Sequence, residues 1–173
     1  MDIKRAIIVG SEEPITLADV KLYCKIDYDT EDSLITMLIT GVRQQIQQFT
    51  HLSLIPETII YFNEEINEEI ILPYPEHLAI TEVAINGTAT TGYTKTGLSQ
   101  FIIYPTATYS LGQNDQGIKI TYTTTGNCPE GIKIEMLRLL AEKYRQRGNT
   151  FEGATTELTE NSYANLSGFC KMR

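Results

Sequence analysis

The sequence lacks several features on which stability or chemistry often depends. It has no tryptophan, two histidines and three cysteines in 173 residues. Cys24, Cys128 and Cys170 are odd in number, far apart and without a CxxC pair, so the pattern predicts neither a disulfide framework nor a zinc site. A chain of this length buries about two-thirds of its unfolded surface without cross-links. We therefore expect reduced, structural thiols.

Long hydrophobic runs and an excess of basic residues are also missing. No apolar stretch approaches the ~20 residues that cross a bilayer, and the apolar run at residues 6–9 is too short for the core of a signal peptide. A cytoplasm-like compartment is the expectation. The formal net charge of −8 disfavours a surface that binds nucleic acid, because such a surface needs bases that displace counterions.

Motifs for catalysis or cofactor binding are not found. His51 and His77 lie in neither a metal-ligand spacing nor a nucleophile motif, and no GxxxxGK[ST] or GxGxxG loop occurs. The acidic run at 64–69 lacks the alternating ligands and central glycine of a calcium loop. The sequence thus predicts a non-enzymatic protein with no catalytic residue, no metal site and no cofactor.

Two helices are predicted in the N-terminal part. Thr16 followed by Asp19 is typical of the N-cap of a helix, here over 16–25. A second helix is expected from Glu31 to about residue 50. The apolar residues that recur at helical spacing in it are Ile35, Leu38, Ile39, Val42, Ile46 and Phe49.

The middle of the chain changes to a two-residue period. Ile118, Ile120 and Tyr122 alternate with polar residues, as a half-buried strand requires. Similar runs lie at 58–62, 69–72, 78–85 and 101–104, separated by turn residues such as Asn86-Gly87. In the run 78–85 the apolar phase slips between Ile80 and Val83, which predicts a bulge.

A third helix is predicted over 130–147, after Pro129 and before Gly148-Asn149. The remainder has few large apolar residues and no clean periodicity, which predicts an extended tail that a partner orders. The fold class is α+β: a small helical bundle of three main helices, an inserted antiparallel β-rich subdomain and an extended C-terminal tail. The boundaries are 1–51 for the N-terminal helical part, 52–126 for the insertion, 127–148 for the helix that completes the bundle, and 149–173 for the tail.

Charge is distributed unevenly along the chain. Residues 52–126 hold eight acids and two bases, whereas residues 127–173 hold seven bases and six acids. Candidate partner-contact residues are Arg138, Arg145, Arg147, Phe169, Lys171 and Arg173. The alternative for the helical bases is that they are simply favoured at the negative end of a helix dipole.

The order of these elements, together with particular residues, resembles the head-to-tail connector (adaptor) proteins of long-tailed bacteriophages, in their longer version with a β-rich insertion. The matching segments are ITLADVKLYCKID at 15–27, DTEDSLI at 29–35, LPYP at 72–75, ITEV at 80–83, ITYTTTG at 120–126, and Pro129 with YRQR at 144–147. The resemblance covers about residues 15–148, and residues 149–173 match no pattern of the family.

The resemblance implies a structural virion protein of the neck, at the head-tail junction, assembled in the cytoplasm of a bacterial host. Such proteins form a homo-oligomeric ring, usually of twelve copies, that docks on the portal protein, continues into a tail or stopper protein, and lets genomic DNA pass without holding it. No membrane is involved. On this interpretation acids of the insertion, or acids on the N-terminal helices, face the channel and repel the phosphate backbone. The candidates are Glu64, Glu65, Glu68 and Glu69.

Two other interpretations stay open. The first is a different neck component, such as a tail-completion or stopper protein. The second is an unrelated β-rich binding module or small enzyme.

Overall fold

A computed structural model describes residues 2–8, 11–64, 69–74, 78–96, 102–105, 117–146 and 155–170. Within these ranges the chain forms four helices and eight strands. It divides into two compact units. The β unit consists of Met1–Ser11 and Ile55–Asn127, and the helical unit of Glu12–Leu54 and Cys128–Arg173. The α+β class predicted from the sequence is confirmed.

The helical unit contains α1 (Leu17–Cys24), α2 (Asp32–Thr50), α3 (Glu130–Arg145) and α4 (Thr155–Ser167). The predicted capping box starts α1. The backbone N–H of Asp19 donates to Thr16 Oγ1 at 3.1 Å, and the backbone N–H of Thr16 donates to Asp19 Oδ2 at 2.8 Å. Glu31 is the N-cap of α2, which confirms the predicted start of that helix.

The core of the helical unit forms where the apolar stripes of α2 and α3 meet. Its fully buried residues include Ile35, Val42, Ile46, Ile132, Met136, Leu140 and Leu166. Leu38, which lies on the predicted apolar stripe of α2, and Leu137 of α3 are only partly buried. In α2 the buried positions follow spacings of four, three and four residues from Ile35 to Ile46, and this leaves Leu38 at the edge of the stripe.

A charged side chain also lies inside the helical unit. Arg43 is only 1% exposed, and its Nε donates to Glu13 Oε2 at 2.7 Å while Nη1 donates to Gln47 Oε1 at 2.5 Å. Thr40 Oγ1 donates to the other oxygen of Glu13 at 3.0 Å. The segment before α1 is therefore tied to α2 by an ion pair whose arginine is buried and whose glutamate is partly exposed.

The segment 149–173, predicted as an extended tail, contains the helix α4 instead. Leu166 of α4 is fully buried. The Tyr163 ring lies 4.8 Å from the Phe49 ring, centroid to centroid, and Gln45 Nε2 donates to the Tyr163 hydroxyl. The prediction of an extended tail was wrong, because its few apolar residues need no core of their own: they pack on helices of the same chain.

The β unit has two antiparallel sheets, with strand orders β1-β2-β8-β4-β5 and β3-β7-β6. The strands are β1 (Asp2–Ile7), β2 (Glu57–Asn63), β3 (Ile70–Ile71), β4 (Leu78–Ile85), β5 (Thr88–Ala89), β6 (Tyr93–Thr96), β7 (Ile102–Pro105) and β8 (Ile118–Thr124). Ile59, Ile120 and Tyr122 of the larger sheet and Ile70 and Ile103 of the smaller one belong to one buried cluster.

Details of the larger sheet match the predicted turn chemistry. Pairing between β4 and β8 shifts between Ile80 and Glu82, which confirms the predicted bulge. Asn86 and Gly87 both have positive φ angles, 49° and 77°, as a two-residue hairpin requires.

The N-terminal part, predicted as helical, begins with β1, which pairs with β2 from Asp2 to Ile7.

The chain leaves the β unit beside the point where it enters. Gly126 has a φ of +71°, and a Cβ atom built on it would lie 2.4 Å from the carbonyl carbon of Ile55. That distance excludes any side chain. Glycine at this position therefore brings the two ends of the inserted segment into backbone contact.

Candidate functional site

A groove of about 360 Å³ opens on the surface of the helical unit. It is lined by α1, α3 and α4. The lining residues are Tyr23, Arg138, Ala141, Glu142, Arg145, Asn161 and Ser162. The groove brings together Arg138 and Arg145, two of the residues that the sequence singled out for partner contact.

The position of the two arginines follows from the phase of α3. Ile134, Arg138, Ala141 and Arg145 are separated by four, three and four residues, so they share one face of the helix. Ile134 on this face is 49% exposed. The opposite face carries the buried core residues, and burying that face leaves the arginine face to the solvent.

Arg138 forms an ion pair with the buried carboxylate of Glu135. Glu135 is only 5% exposed, and its Oε1 accepts from Arg138 Nη1 at 2.9 Å and from Asn165 Nδ2 at 3.0 Å. Its Oε2 is buried and has no hydrogen-bond partner among the described residues. Glu135 thus joins α3 to α4, and Arg138 balances its charge.

Arg145 differs, because it has no ion-pair partner in the described part of the chain. It is exposed at the end of α3. Tyr23, another lining residue, is 48% exposed. A groove with a guanidinium and an accessible aromatic ring can bind a ligand that has both a carboxylate and an apolar part. The guanidinium pairs with the carboxylate, and the ring packs on the aliphatic or aromatic part.

The other predicted contact residues have different placements. Phe169 packs on the helical core, and a Cβ atom at Gly131 would lie 2.9 Å from its ring. Its role as an anchor for a partner stays a prediction. Arg147, Lys171 and Arg173 lie outside the described residues.

The acidic candidates belong to the β unit. Glu64 and Glu69 are both exposed, and neither has an ion-pair partner among the residues that the structure describes. Glu65 and Glu68 lie outside those residues. Within the described ranges no group of three or more histidine, cysteine or acidic side chains is arranged to hold a metal ion.

One lysine pairs with two acids of the turn between α1 and α2. Lys21 Nζ lies 2.5 Å from Asp29 Oδ1 and 2.5 Å from Asp32 Oδ1. These hydrogen bonds raise the pKa of Lys21, and the bond from Lys21 lowers the pKa of Asp29. Lys21 therefore ties α1 to the start of α2.

The same turn is tied to α3 by a contact that the sequence did not indicate. The Tyr144 hydroxyl donates to Glu31 and lies 2.8 Å from the hydroxyl of Tyr28. The bond to Glu31, followed by that to Tyr28, raises the pKa of Tyr144. Residues 113 positions apart in the chain carry no local periodic signal of such a contact.

The cysteines are not placed for nucleophilic chemistry. Burial raises the pKa of the Cys128 thiol to about 11, and it also raises the pKa of Cys24 and of Cys170. At neutral pH these groups are thiols, which attack carbonyl or disulfide groups poorly.

None of the helices in the described ranges combines the length and hydrophobicity that crossing a membrane requires.

Comparison with known proteins identifies a family. The family model described as "Head completion protein" matches residues 13–167. The solved structure "Neck of empty GTA particle computed with C6 symmetry" superposes with a TM-score of 0.79 at 13% identity, covering 100% of this chain and 97% of the other. "Virion of native gene transfer agent (GTA) particle" gives 0.73 at 13%, and "Neck of native GTA particle computed with C12 symmetry" gives 0.67 at 11%, with the same coverage. At these identities the likeness shows a shared fold. No curated protein sequence matches the chain.

Proposed function

The chain belongs to the head completion protein family, and from this premise we propose that it is a structural subunit of the neck of a phage-like particle, at the head-tail junction. The observation that carries the proposal is the family match, which spans residues 13–167 and so includes both units. It confirms the resemblance to phage neck proteins seen in the sequence. The role is structural rather than catalytic.

The subunit assembles with copies of itself into a ring of twelve. In support, two of the similar structures are of particle necks, one computed with sixfold and the other with twelvefold symmetry. A ring needs two different surfaces on each subunit, one for each neighbour. The helical unit carries large exposed apolar side chains that such contacts would bury, among them Leu22 at 82% exposure and Met37 at 69%.

The ring connects the portal protein of the head to a tail or stopper protein, and genomic DNA passes through it. A net charge of −8 per subunit favours passage over retention, because acidic walls repel the phosphate backbone. Glu64 and Glu69 are exposed acids that qualify for such a wall. Their position relative to the channel stays a prediction.

The test is to purify the full chain and examine it by mass photometry and electron microscopy, alone and mixed with the portal protein of the same particle. We expect rings that sediment with the portal. Rings that bind purified tails but not the portal would instead identify a tail-completion or stopper protein. A monomer at all concentrations, with or without portal, would contradict the proposal.

A further inference from the structure

The exposed side of α2 carries no charge. The structure describes every residue of this helix, and its exposed residues are Ser33, Thr36, Met37, Gly41, Gln44, Gln48 and Phe49. None of them is charged, although charged residues make up 21% of the chain. In α3, by contrast, four of the five exposed residues are charged. A helix face that meets water ordinarily carries charged residues, so the composition of α2 indicates a face that another protein covers.

Most of these exposed residues lie along one side of the helix. Ser33, Met37, Gly41, Gln44 and Gln48 are separated by four, four, three and four residues, so they form one face, here called the neutral face. The buried residues of α2 lie on the opposite side. Met37 in the neutral face is 69% exposed. Methionine is enriched and charge is depleted at the centre of protein interfaces, and the neutral face has both properties.

Gly41 lies at the midpoint of α2, with nine residues of the helix before it and nine after it. Glycine weakens a helix interior relative to alanine, because it loses more backbone freedom on folding. The fold of the single chain does not require a glycine here: a Cβ atom built on Gly41 would have no atom within 4 Å outside the backbone of its own helix. The missing side chain instead leaves room for another molecule to approach the backbone of α2 closely.

We propose that the neutral face of α2, centred on Met37 and Gly41, packs against a second copy of this chain. The inference rests on the proposed function, since it names one of the two surfaces by which neighbouring subunits of the ring meet. In a ring the contact is heterologous: the neutral face of one copy meets a different surface of the next.

Charge favours a second copy over other occupants of this face. Each copy has a formal net charge of −8, so copies that meet through acidic surfaces repel one another, and the repulsion grows as subunits gather in a ring. The neutral face lets a neighbour make contact without removing a charge of α2 from water or placing like charges side by side. A nucleic acid would need basic residues on this face, and none of its five residues is basic.

A charge placed on the neutral face tests the contact. Met37→Glu should raise the concentration for half-assembly at least about tenfold, measured by sedimentation velocity, because assembly would then bury a carboxylate against another acidic copy. Thr36→Glu is the matched control. It adds the same charge to the adjacent exposed residue, which lies about 100° away around the helix and outside the neutral face. Its effect should be well below that of Met37→Glu.

A side chain added without charge tests the close approach. Gly41→Gln introduces a better helix former, so at concentrations below assembly its melting temperature by circular dichroism should equal or exceed that of the wild type. The half-assembly concentration should nevertheless rise at least about tenfold, because the new side chain occupies the space that the neighbour needs. Thr36→Gln adds the same side chain outside the neutral face and should assemble nearly as the wild type does.

Three outcomes would overturn the inference. One is wild-type assembly of either Met37→Glu or Gly41→Gln, and a variant that forms normal rings but no longer binds the portal protein would assign the neutral face to the portal instead. Another is a defect in the Thr36 controls as large as that in the variants of the neutral face. The third is a lowered melting temperature of Gly41→Gln, which would mean that the fold itself needs the glycine. If the wild type forms no ring, the proposed function fails, and that result is seen before any variant is compared.

Discussion

The helical unit and the β unit bury different kinds of large side chain. Among the described residues, the largest fully buried side chain of the helical unit is Arg43, and that of the β unit is Tyr122. Arg43 carries a charge that Glu13 balances, whereas the neutral hydroxyl of Tyr122 donates to the Pro73 carbonyl at 2.5 Å. Arg43 therefore needs the Glu13 carboxylate to stay in place, whereas the Tyr122 ring brings no charge into the β unit that must be balanced.

The largest expected effect comes from opening a cavity in either core. Ile46→Ala in the helical unit and Ile120→Ala in the β unit each remove a fully buried side chain and should cost about 2–5 kcal/mol. If each unit depends on its own core, calorimetry should show two unfolding transitions. Ile46→Ala should lower the unfolding temperature of the helical unit more, and Ile120→Ala should lower that of the β unit more. Identical shifts of a single transition would show that the two units unfold together.

Removing the partner of the buried arginine should have the next largest effect. Glu13→Ala leaves the Arg43 guanidinium without its carboxylate and should cost about 2 kcal/mol, less than a fully buried pair because the Glu13 side chain is 29% exposed. Glu12→Ala, the exposed neighbour, is the control and should change unfolding by less than about 0.5 kcal/mol.

The double variant Glu13→Ala with Arg43→Met sharpens this comparison. It removes both charges and fills the buried volume with an apolar side chain, so denaturant unfolding should show recovery of much of the lost stability. No recovery would mean that the cost of Glu13→Ala comes from its contact with Thr40 rather than from the ion pair.

A smaller effect is expected for the tyrosine of the β unit. Tyr122→Phe keeps the buried ring and removes one hydrogen bond to a partly buried carbonyl, which should cost about 1 kcal/mol by urea titration. A loss as large as that of Glu13→Ala would contradict the distinction between the two units.

The smallest effect is the pH dependence of the α1 cap. Hydrogen bonds from Thr16 hold the pKa of Asp19 below its ordinary value of 3.8. Because the folded pKa lies below the unfolded one, the cap stabilises the fold above pH 3.8, and this contribution is lost as the pH falls through the lowered pKa. Amide signals of α1 followed by NMR should show this loss, and Asp19→Asn should remove it.

Periodicity predicted the elements whose packing partners repeat regularly. The buried stripe of α2, the alternation of β8, the bulge in β4 and the capping box of α1 all follow from local spacing, and each is present. The short strands β5 and β6 were not predicted, because residues such as Thr88, Thr94 and Lys95 have no apolar alternation. Their pairing depends on neighbouring strands.

The groove could be predicted only in part. The excess of bases in the predicted third helix singled out Arg138 and Arg145, and both lie on α3. The contribution of α4 could not be predicted, because its position depends on contacts of Asn165 and Tyr163 with residues 30 and 118 positions away in the chain. That Arg145 has no ion-pair partner among the described residues likewise could not be predicted, because it depends on where the folded chain places the nearby acids.

The contact between Gly126 and Ile55 bears on how the chain folds. α2 and α3, whose packing forms the helical core, are separated in sequence by the whole β-rich insertion. Bringing them together in an unfolded chain carries the loop-closure entropy of that long segment. Once the insertion folds, its two ends are in backbone contact, so the helices are joined as if by a short turn. The order of events that this favours is formation of the sheet first, followed by rapid closure of the helical core.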